Sequence, residues 1–323
     1  MNRASPLPWL SLHVFLADPV QSERYLRDCL APAIARWRAD QVLERWFFIR
    51  YWEGGPHLRV RLAGPIAHDG QHAMAMLTEP IAGFRAQHPP TREAYYSGHV
   101  FDGQPVVEDE LPWYPDGSVV NIGYQPELLR YGGQYAIDAS EQLFELSSRL
   151  ALSVCKATGN NQDARLSSAF VLMAAAVLAC GEGLPGVATF FAQYGSLWTS
   201  SVGRAVQDTA AQPSQDQMRL LFRLEQEAIA GWTGNSAHAV WAAGVRQLVE
   251  RLRALHAEGR LNLPFDGRTS VGEEMCRNSV LGIVGSQIHM LNNRLGIPPA
   301  GEFLLARLLV AGATTLNQPG ATI

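Results

Sequence analysis

Two periodicities divide this chain, and the point where one replaces the other constrains its fold more than any other feature. Between residues 10 and 124 the signal has period two. Leu10, Leu12, Val14 and Leu16 alternate with Ser11, His13 and Phe15, which predicts a half-buried strand. Trp46 to Trp52 is an aromatic and β-branched run. It is followed by Glu53-Gly54-Gly55-Pro56 and then His57-Leu58-Arg59-Val60-Arg61-Leu62, so two strands flank a glycine-rich turn. Residues 118–124 predict a further short strand, and residues 21–45 have helical spacing. From Tyr135 onward the spacing is helical almost throughout, with helices expected over 135–156, 163–180, 186–203, 214–231, 237–258, 270–296 and 299–313. Ser214 with Gln217 and Ser270 with Glu273 read as capping boxes, and Pro298-Pro299 fits the start of the last helix. No fixed-period repeat and no Pro-, Gly- or Ser-rich linker interrupts the chain. The expected fold class is α+β: a small antiparallel sheet in the N-terminal half, covered by a largely helical C-terminal half. The expected organisation is a single domain over 1–323, strand-rich at 10–124 and helical at 135–313.

Composition narrows the function classes. With 323 residues, 47% of them hydrophobic, the chain can bury a sizeable core. The net charge of −4 and the lack of a basic stripe argue against direct nucleic-acid binding. Lys156 is the sole lysine, and it stands at a frayed helix end, which disfavours Schiff-base and pyridoxal-phosphate chemistry. Cys29, Cys155, Cys180 and Cys276 lie far apart and read as buried small hydrophobes in a reducing compartment. The first ten residues carry no long apolar segment of a secretion signal, and the apolar run Leu166 to Cys180 is too short to span a membrane. A cytoplasmic protein without membrane attachment is expected.

Three segments could carry chemistry. On the strand from His57 to Leu62, Leu58, Val60 and Leu62 point one way and His57, Arg59 and Arg61 the other. Two guanidinium groups on one face read either as a solvated strand face or as a clamp for an anion such as a carboxylate. In Tyr124-Gln125-Pro126-Glu127-Leu128-Leu129-Arg130-Tyr131-Gly132-Gly133 the glycine pair permits a tight turn from strand to helix. Arg130 there either pairs structurally with Glu127 or serves a site. In the last long helix His289 shares a stripe with Gly282, Gly285, Ser286 and Asn293, which leaves room for a ligand or a partner strand. A lone helical histidine is often structural; it is also the best general acid–base candidate in the chain. The remaining histidines, His13, His68, His72, His88, His99, His238 and His256, show no metal-ligand spacing supported by acids. His68 and His72 fall in what reads as a polar loop, and no metal is expected. Dinucleotide-binding, Walker, HExxH and GxSxG motifs are absent.

At these three places the chain resembles the thiopeptide-type bacteriocin biosynthesis domain family, which is similar to the C-terminal elimination domain of class I lantibiotic dehydratases. The residues concerned are Phe47-Phe48-Ile49-Arg50-Tyr51 with Gly55-Pro56-His57-Leu58-Arg59-Val60-Arg61, then Pro126-Glu127 with Arg130-Tyr131-Gly132-Gly133, then His289-Met290 with Asn293-Arg294. The resemblance implies a lyase acting without a cofactor on a leader-bearing precursor peptide. It would remove glutamate from glutamylated Ser or Thr and leave dehydroalanine or dehydrobutyrine. It implies Arg59, Arg61, Arg130 and His289 as catalytic. It also implies that His57, Tyr131, Asn293 and Arg294, which stand in the same motifs, and Ser286, one turn before His289, bind substrate. Glutamylation would fall to a separate glutamyl-tRNA-dependent protein. A sister branch of pyridine synthases joins two dehydroalanines and expels the leader, and that reading stays open. So does a non-catalytic subunit that binds the leader by strand addition.

Overall fold

The alternation at residues 10–16 becomes an inner strand of a four-stranded antiparallel sheet. The computed structural model describes residues 8–97, 100–101, 104–105, 111–203, 206–207 and 210–318. Its sheet comprises β1 (Trp9–Phe15), β2 (Arg45–Tyr51), β3 (His57–Ala63) and β6 (Val119–Asn121), in the order β2-β3-β1-β6. Between β3 and β6 lies a separate two-stranded pair, β4 (Val100–Phe101) and β5 (Gln104–Pro105). The switch in periodicity coincides with a structural boundary, because the chain divides into two compact units, 1–125 and 126–323.

In the first unit one sheet face carries Leu10, Leu12, Val14, Leu58, Val60, Leu62, Trp46 and Phe48, all buried. The segment expected as one helix over 21–45 is helical only to Ala39. It runs as α1 (Pro19–Tyr25), a π turn at Leu26–Leu30, and α2 (Ala31–Ala39), and the chain then turns into β2. Asp18 caps α1 by accepting from the amides of Val20 and Gln21. Two further helices, α3 (Gly70–Thr78) and α4 (Arg92–Tyr96), fall where the sequence shows no clear period. The expected loop around His68 and His72 is therefore corrected: His68 ends a 3-10 turn and His72 stands in α3, whose N-cap Asp69 accepts from the His72 amide. The turn between β2 and β3 needs its glycines. Gly54 and Gly55 take φ of +88° and +107°, and a Cβ on Gly54 would stand 3.1 Å from the Tyr114 ring.

The second unit holds the expected helices with small shifts at their ends. They are α5 (Ile137–Thr158), α6 (Gln162–Ala179), α7 (Leu184–Ser196), α8 (Gln215–Ile229), α9 (Ala237–Ala257), α10 (Gly272–Leu295) and α11 (Pro299–Leu316). The apolar run of the sequence becomes α6, which is buried on most sides and packs against α8, α9, α10 and α11. By length and composition α6 could cross a membrane, but most of it forms this core. The capping box at Ser214 is present with both of its hydrogen bonds. The one at Ser270 is not, which corrects that expectation. The Ser270 amide bonds to the Leu261 carbonyl and its hydroxyl to His256 Nδ1, so α10 starts later, after Val271, without a side-chain cap. Pro299 opens α11 as expected, and Gly296 closes α10 in the left-handed region.

Candidate functional site

Three side-chain clusters coincide with the three segments singled out in the sequence. The first lies on the second face of the sheet. Strand pairing sets Ser11 opposite Arg61, His13 opposite Arg59 and Phe15 opposite His57, with Phe47 and Tyr51 of β2 on the same face. Directly opposed residues of antiparallel strands share a face. This face is not solvated, because Arg61 is 6% exposed and Ser11, His13 and His57 are buried. The half-buried strand expected at 10–16 is thus buried on both faces. Aromatic rings line the arginines: the Arg61 guanidinium carbon lies 4.7 Å from the Tyr124 ring and 5.3 Å from that of Phe47, and that of Arg59 lies 3.4 Å from Tyr51.

The hydrogen bonds fix one histidine tautomer. Arg59 Nε, which must donate, lies 3.2 Å from His57 Nε2, so Nε2 accepts and Nδ1 carries the proton towards the Gly55 carbonyl at 2.7 Å. His57 is therefore neutral and aims Arg59. Its ring stacks on His13 at 4.8 Å. Burial, opposed by the bond to the Gly55 carbonyl and aided by the charges of Arg59 and Arg61, pulls the His57 pKa down to about 4. Burial, then His57 and the two arginines, pulls that of His13 down to about 2. Between pH 6.5 and 4 the unfolded chain thus binds more protons than the native one, and stability rises with pH across that window. Going from pH 7 to pH 5 is expected to cost roughly 2 kcal/mol for each of the two histidines. Urea denaturation at both pH values would check this, and His57→Asn should make the difference smaller.

The second cluster opens the helical unit. The Tyr131 amide bonds to the Glu127 carbonyl and that of Gly133 to the Leu128 carbonyl, while Gly132 and Gly133 take φ of +82° and +94°. A Cβ at Gly132 would stand 2.8 Å from Leu261 and one at Gly133 2.7 Å from Asn262, so the glycine pair is set by close packing as well as by conformation. Arg130 Nε lies 3.2 Å from a Glu127 oxygen, a partly exposed pair of small energetic weight, and its guanidinium faces the Phe265 ring at 5.5 Å. Tyr131 is buried edge-on against Phe144, and burial pushes its hydroxyl pKa up. Arg294, fully buried, faces the other partner of that cluster: its guanidinium lies 5.2 Å from the Phe144 ring and its Nε donates to Ser148.

The third cluster centres on His289 in α10. Its Nδ1 lies 2.8 Å from Glu302 Oε1, and its ring lies 4.8 Å from that of Trp198. Glu302 is fully buried. It also accepts from Asn292 Nδ2 at 3.2 Å and from the Tyr194 hydroxyl. Burial, then the neighbouring Glu302, holds the Tyr194 hydroxyl well above its usual pKa, so Tyr194 remains the donor. With Nδ1 held by the carboxylate, Nε2 becomes the basic nitrogen, and the His289 side chain keeps 24% exposure. The glycine stripe is not the open space expected. A Cβ at Gly285 would meet Phe190 at 3.5 Å and one at Gly282 would meet Pro264 at 3.3 Å, so neighbouring side chains occupy that side. Ser286 is buried on the stripe and Asn293 is half-buried. His99 lies outside the described residues.

Within the helical unit the structure thus joins Tyr131 and Arg294 through Phe144, and separately joins His289 to Glu302. Sequence reasoning missed Glu302, Tyr194 and Trp198 as well as the role of His13. An acid within the first turn of an apolar helix, thirteen residues after His289, reads as a response to the helix dipole, and only the crossing of two helices shows its partner.

The chain thus combines an α+β fold with an arginine-bearing sheet face in its first unit and a carboxylate-held histidine in its second. The chain belongs to the lantibiotic biosynthesis dehydratase C-terminal family, whose pattern matches residues 9–313. Among solved structures it is similar to the pyridine synthase TbtD from thiomuracin biosynthesis, at 20% identity and a TM-score of 0.71, over 95% of this chain and 98% of that one. It is similar to TsrL at 19% identity and a TM-score of 0.64, over 94% and 93% of the two chains. The tRNA-dependent lantibiotic dehydratase MibB from Microbispora sp. 107891 shows 20% identity and a TM-score of 0.56, over 97% of this chain but 28% of that one. At these identities the likeness shows a shared fold. No curated protein matches the chain.

Proposed function

We propose that this protein is a lyase that eliminates glutamate from glutamylated Ser or Thr in a ribosomally made precursor peptide, giving dehydroalanine or dehydrobutyrine. The observation that carries this reading is the His289–Glu302 pair, a base whose ring is fixed by a buried carboxylate and whose Nε2 is left to take a proton. His289 Nε2 removes the Cα proton of the esterified residue, and charge builds on the adjoining amide carbonyl. The Cα–Cβ double bond forms as the Cβ–O bond breaks, and glutamate leaves as a carboxylate. Arg130, in the same unit as His289, supplies permanent positive charge and paired donors for the enolate-like oxygen or the departing group, and the family resemblance implies a catalytic part for Arg59 and Arg61 of the first unit as well. The ester already contains its leaving group, so the step consumes no nucleotide. Glutamylation belongs to a separate glutamyl-tRNA-dependent protein, and the cytoplasm is where that donor occurs.

His57, Tyr131, Ser286, Asn293 and Arg294 have supporting roles in this reading. His57 aims Arg59 and Arg294 backs Tyr131, rather than each touching the peptide on its own. An extended leader can add to the outer edges of β2 or β6, the two edge strands of the sheet. Micromolar leader affinity is expected to persist in His289→Ala, as read by fluorescence anisotropy. Equal affinity for a leaderless core peptide would count against it.

The second reading, a pyridine synthase, is favoured by the near full-length likeness to TbtD. One pair of reactions separates them. Incubated with a glutamylated precursor, a lyase lowers its mass by one glutamate per site. A synthase leaves that peptide unchanged, and converts a peptide bearing two dehydroalanines into a macrocycle plus free leader. A leader-binding subunit does neither.

A further inference from the structure

Phe265 stands at the tip of a hairpin where neither burial nor backbone preference calls for a phenylalanine. It takes φ of +64° with 65% of its surface exposed. A bulky residue is unfavourable in that region, and an open ring gains nothing from water in return. Of the three non-glycine residues with positive φ among the described residues, Gln41 is polar and Trp232 is buried; Phe265 is neither. Glycine or asparagine would meet the backbone requirement at lower cost.

The hairpin is firmly built and docks on the segment that bears Arg130. The Leu263 amide donates to the Arg268 carbonyl at 2.7 Å, Asn262 bridges to Thr269, and Arg268 holds Asp266 through two bonds of 2.6 Å. The Phe265 amide donates to the Leu129 carbonyl at 2.8 Å and the Asn262 amide to the Gly132 carbonyl at 3.0 Å. These two bonds bracket residue 130 and set its guanidinium 5.5 Å from the Phe265 ring. The other neighbours of the guanidinium are Glu127, at 3.2 Å, and Tyr131. Glu127 belongs to the same turn as Arg130 and is mostly exposed, whereas the ring is held by backbone bonds from another segment. The hairpin also reaches helix α10. A Cβ at Gly282 would stand 3.3 Å from Pro264, and Gly282 precedes His289 by seven residues, about 10 Å along the same helix face.

We propose that Phe265 is a positioning residue for Arg130, its ring held out by a strained turn to fix the guanidinium beside the stripe of α10 that carries His289. This deepens the elimination reading and rests on it for what Arg130 does. The face of the ring attracts the cation and keeps it from folding down onto Glu127, so its donors stay presented to the charge that builds during the reaction.

The test uses the full chain and three variants. Phe265→Leu keeps the strain and loses the ring, Phe265→Tyr keeps both, and Phe265→Gly loses both. Phe265→Leu and Phe265→Gly are expected to lower kcat about fivefold at unchanged KM, the effect of one cation–π contact at a part-exposed site. Phe265→Tyr should keep the wild-type rate. The melting temperature of Phe265→Gly should hold or rise, because the turn is relieved. The Nε–H resonance of Arg130, identified by its loss in Arg130→Gln, should move in Phe265→Leu and stay in place in Phe265→Tyr. Unchanged kcat in Phe265→Leu overturns the proposal. So does a rise in KM alone, since the ring then touches the peptide directly, or a melting temperature of Phe265→Gly that falls with its rate, since the ring then serves the fold. Elimination by the wild type with an unmoved Arg130 resonance overturns the proposal and keeps the lyase reading. A resonance that moves only when the ring is lost, in a protein that removes no glutamate, keeps the contact and removes the lyase reading.

Discussion

His289→Ala is expected to leave glutamylated peptide accumulating, with the rate of glutamate loss reduced by roughly two to four orders of magnitude, the usual range for a positioned general base. The argument starts at Nδ1. Glu302 takes the hydrogen bond there, and because Glu302 is fully buried and held by Tyr194 and Asn292 it cannot rotate away without losing those contacts. The imidazolium formed on proton uptake is stabilised by that carboxylate and by the Trp198 ring at 4.8 Å. Glu302→Gln keeps the shape and removes the charge. An amide can present its NH₂ to Nδ1, which favours the tautomer with the proton on Nε2 and removes the base. Glu302→Gln should therefore lower the rate nearly as far as His289→Ala while leaving leader affinity alone. Mass spectrometry of the glutamylated peptide after a fixed interval reads both variants. Full turnover by both would return His289 to a structural role.

How far the sequence reveals this depends on which interactions are local. The period-two pattern at 10–16 and 57–62 specifies the strands, and the register of β1 on β3 follows once Leu12 must bury beside Val60. The helical unit is legible almost element by element, because its helices are long runs of helical spacing and several carry their own caps. Three kinds of information are not local. Whether Arg61 meets water or aromatic rings depends on Tyr124, which is distant in sequence. The failure of the Ser270 cap follows from a backbone bond to Leu261 and a side-chain bond to His256, both set by tertiary contacts. The filling of the glycine stripe beside His289 comes from Phe190 and Pro264, on other segments. A polar alternation shows which face a side chain takes, and only packing shows what covers that face.

Arg59→Ala and Arg61→Ala are both expected to abolish glutamate loss, and the structure separates them by what else they damage. Arg59 lies at the accessible end of its face, with 21% of its side chain exposed, stacked on Tyr51. Its removal leaves the core untouched, so Arg59→Ala should unfold at nearly the wild-type temperature while activity disappears. Arg61 is buried between Phe47 and Tyr124, and deleting it leaves a void and strips two aromatic contacts. A loss of about 2 to 4 kcal/mol of stability is expected there in addition to the lost activity, by analogy with other large-to-small changes in packed interiors. Alternation alone puts both side chains off the apolar face, and burial separates them, because Arg61 is covered while Arg59 keeps partial exposure. Lysine distinguishes charge from geometry. Arg59→Lys keeps a cation above Tyr51, but an ammonium has no Nε to donate towards His57 and no fork to grip a carboxylate. Activity should therefore stay low in Arg59→Lys even though its charge and fold are retained. Thermal melts beside elimination assays on the four proteins, wild type included, give the result. Recovery of most activity by Arg59→Lys would mean that this face supplies charge alone, and that the hydrogen bond from Arg59 to His57 has no part in the reaction.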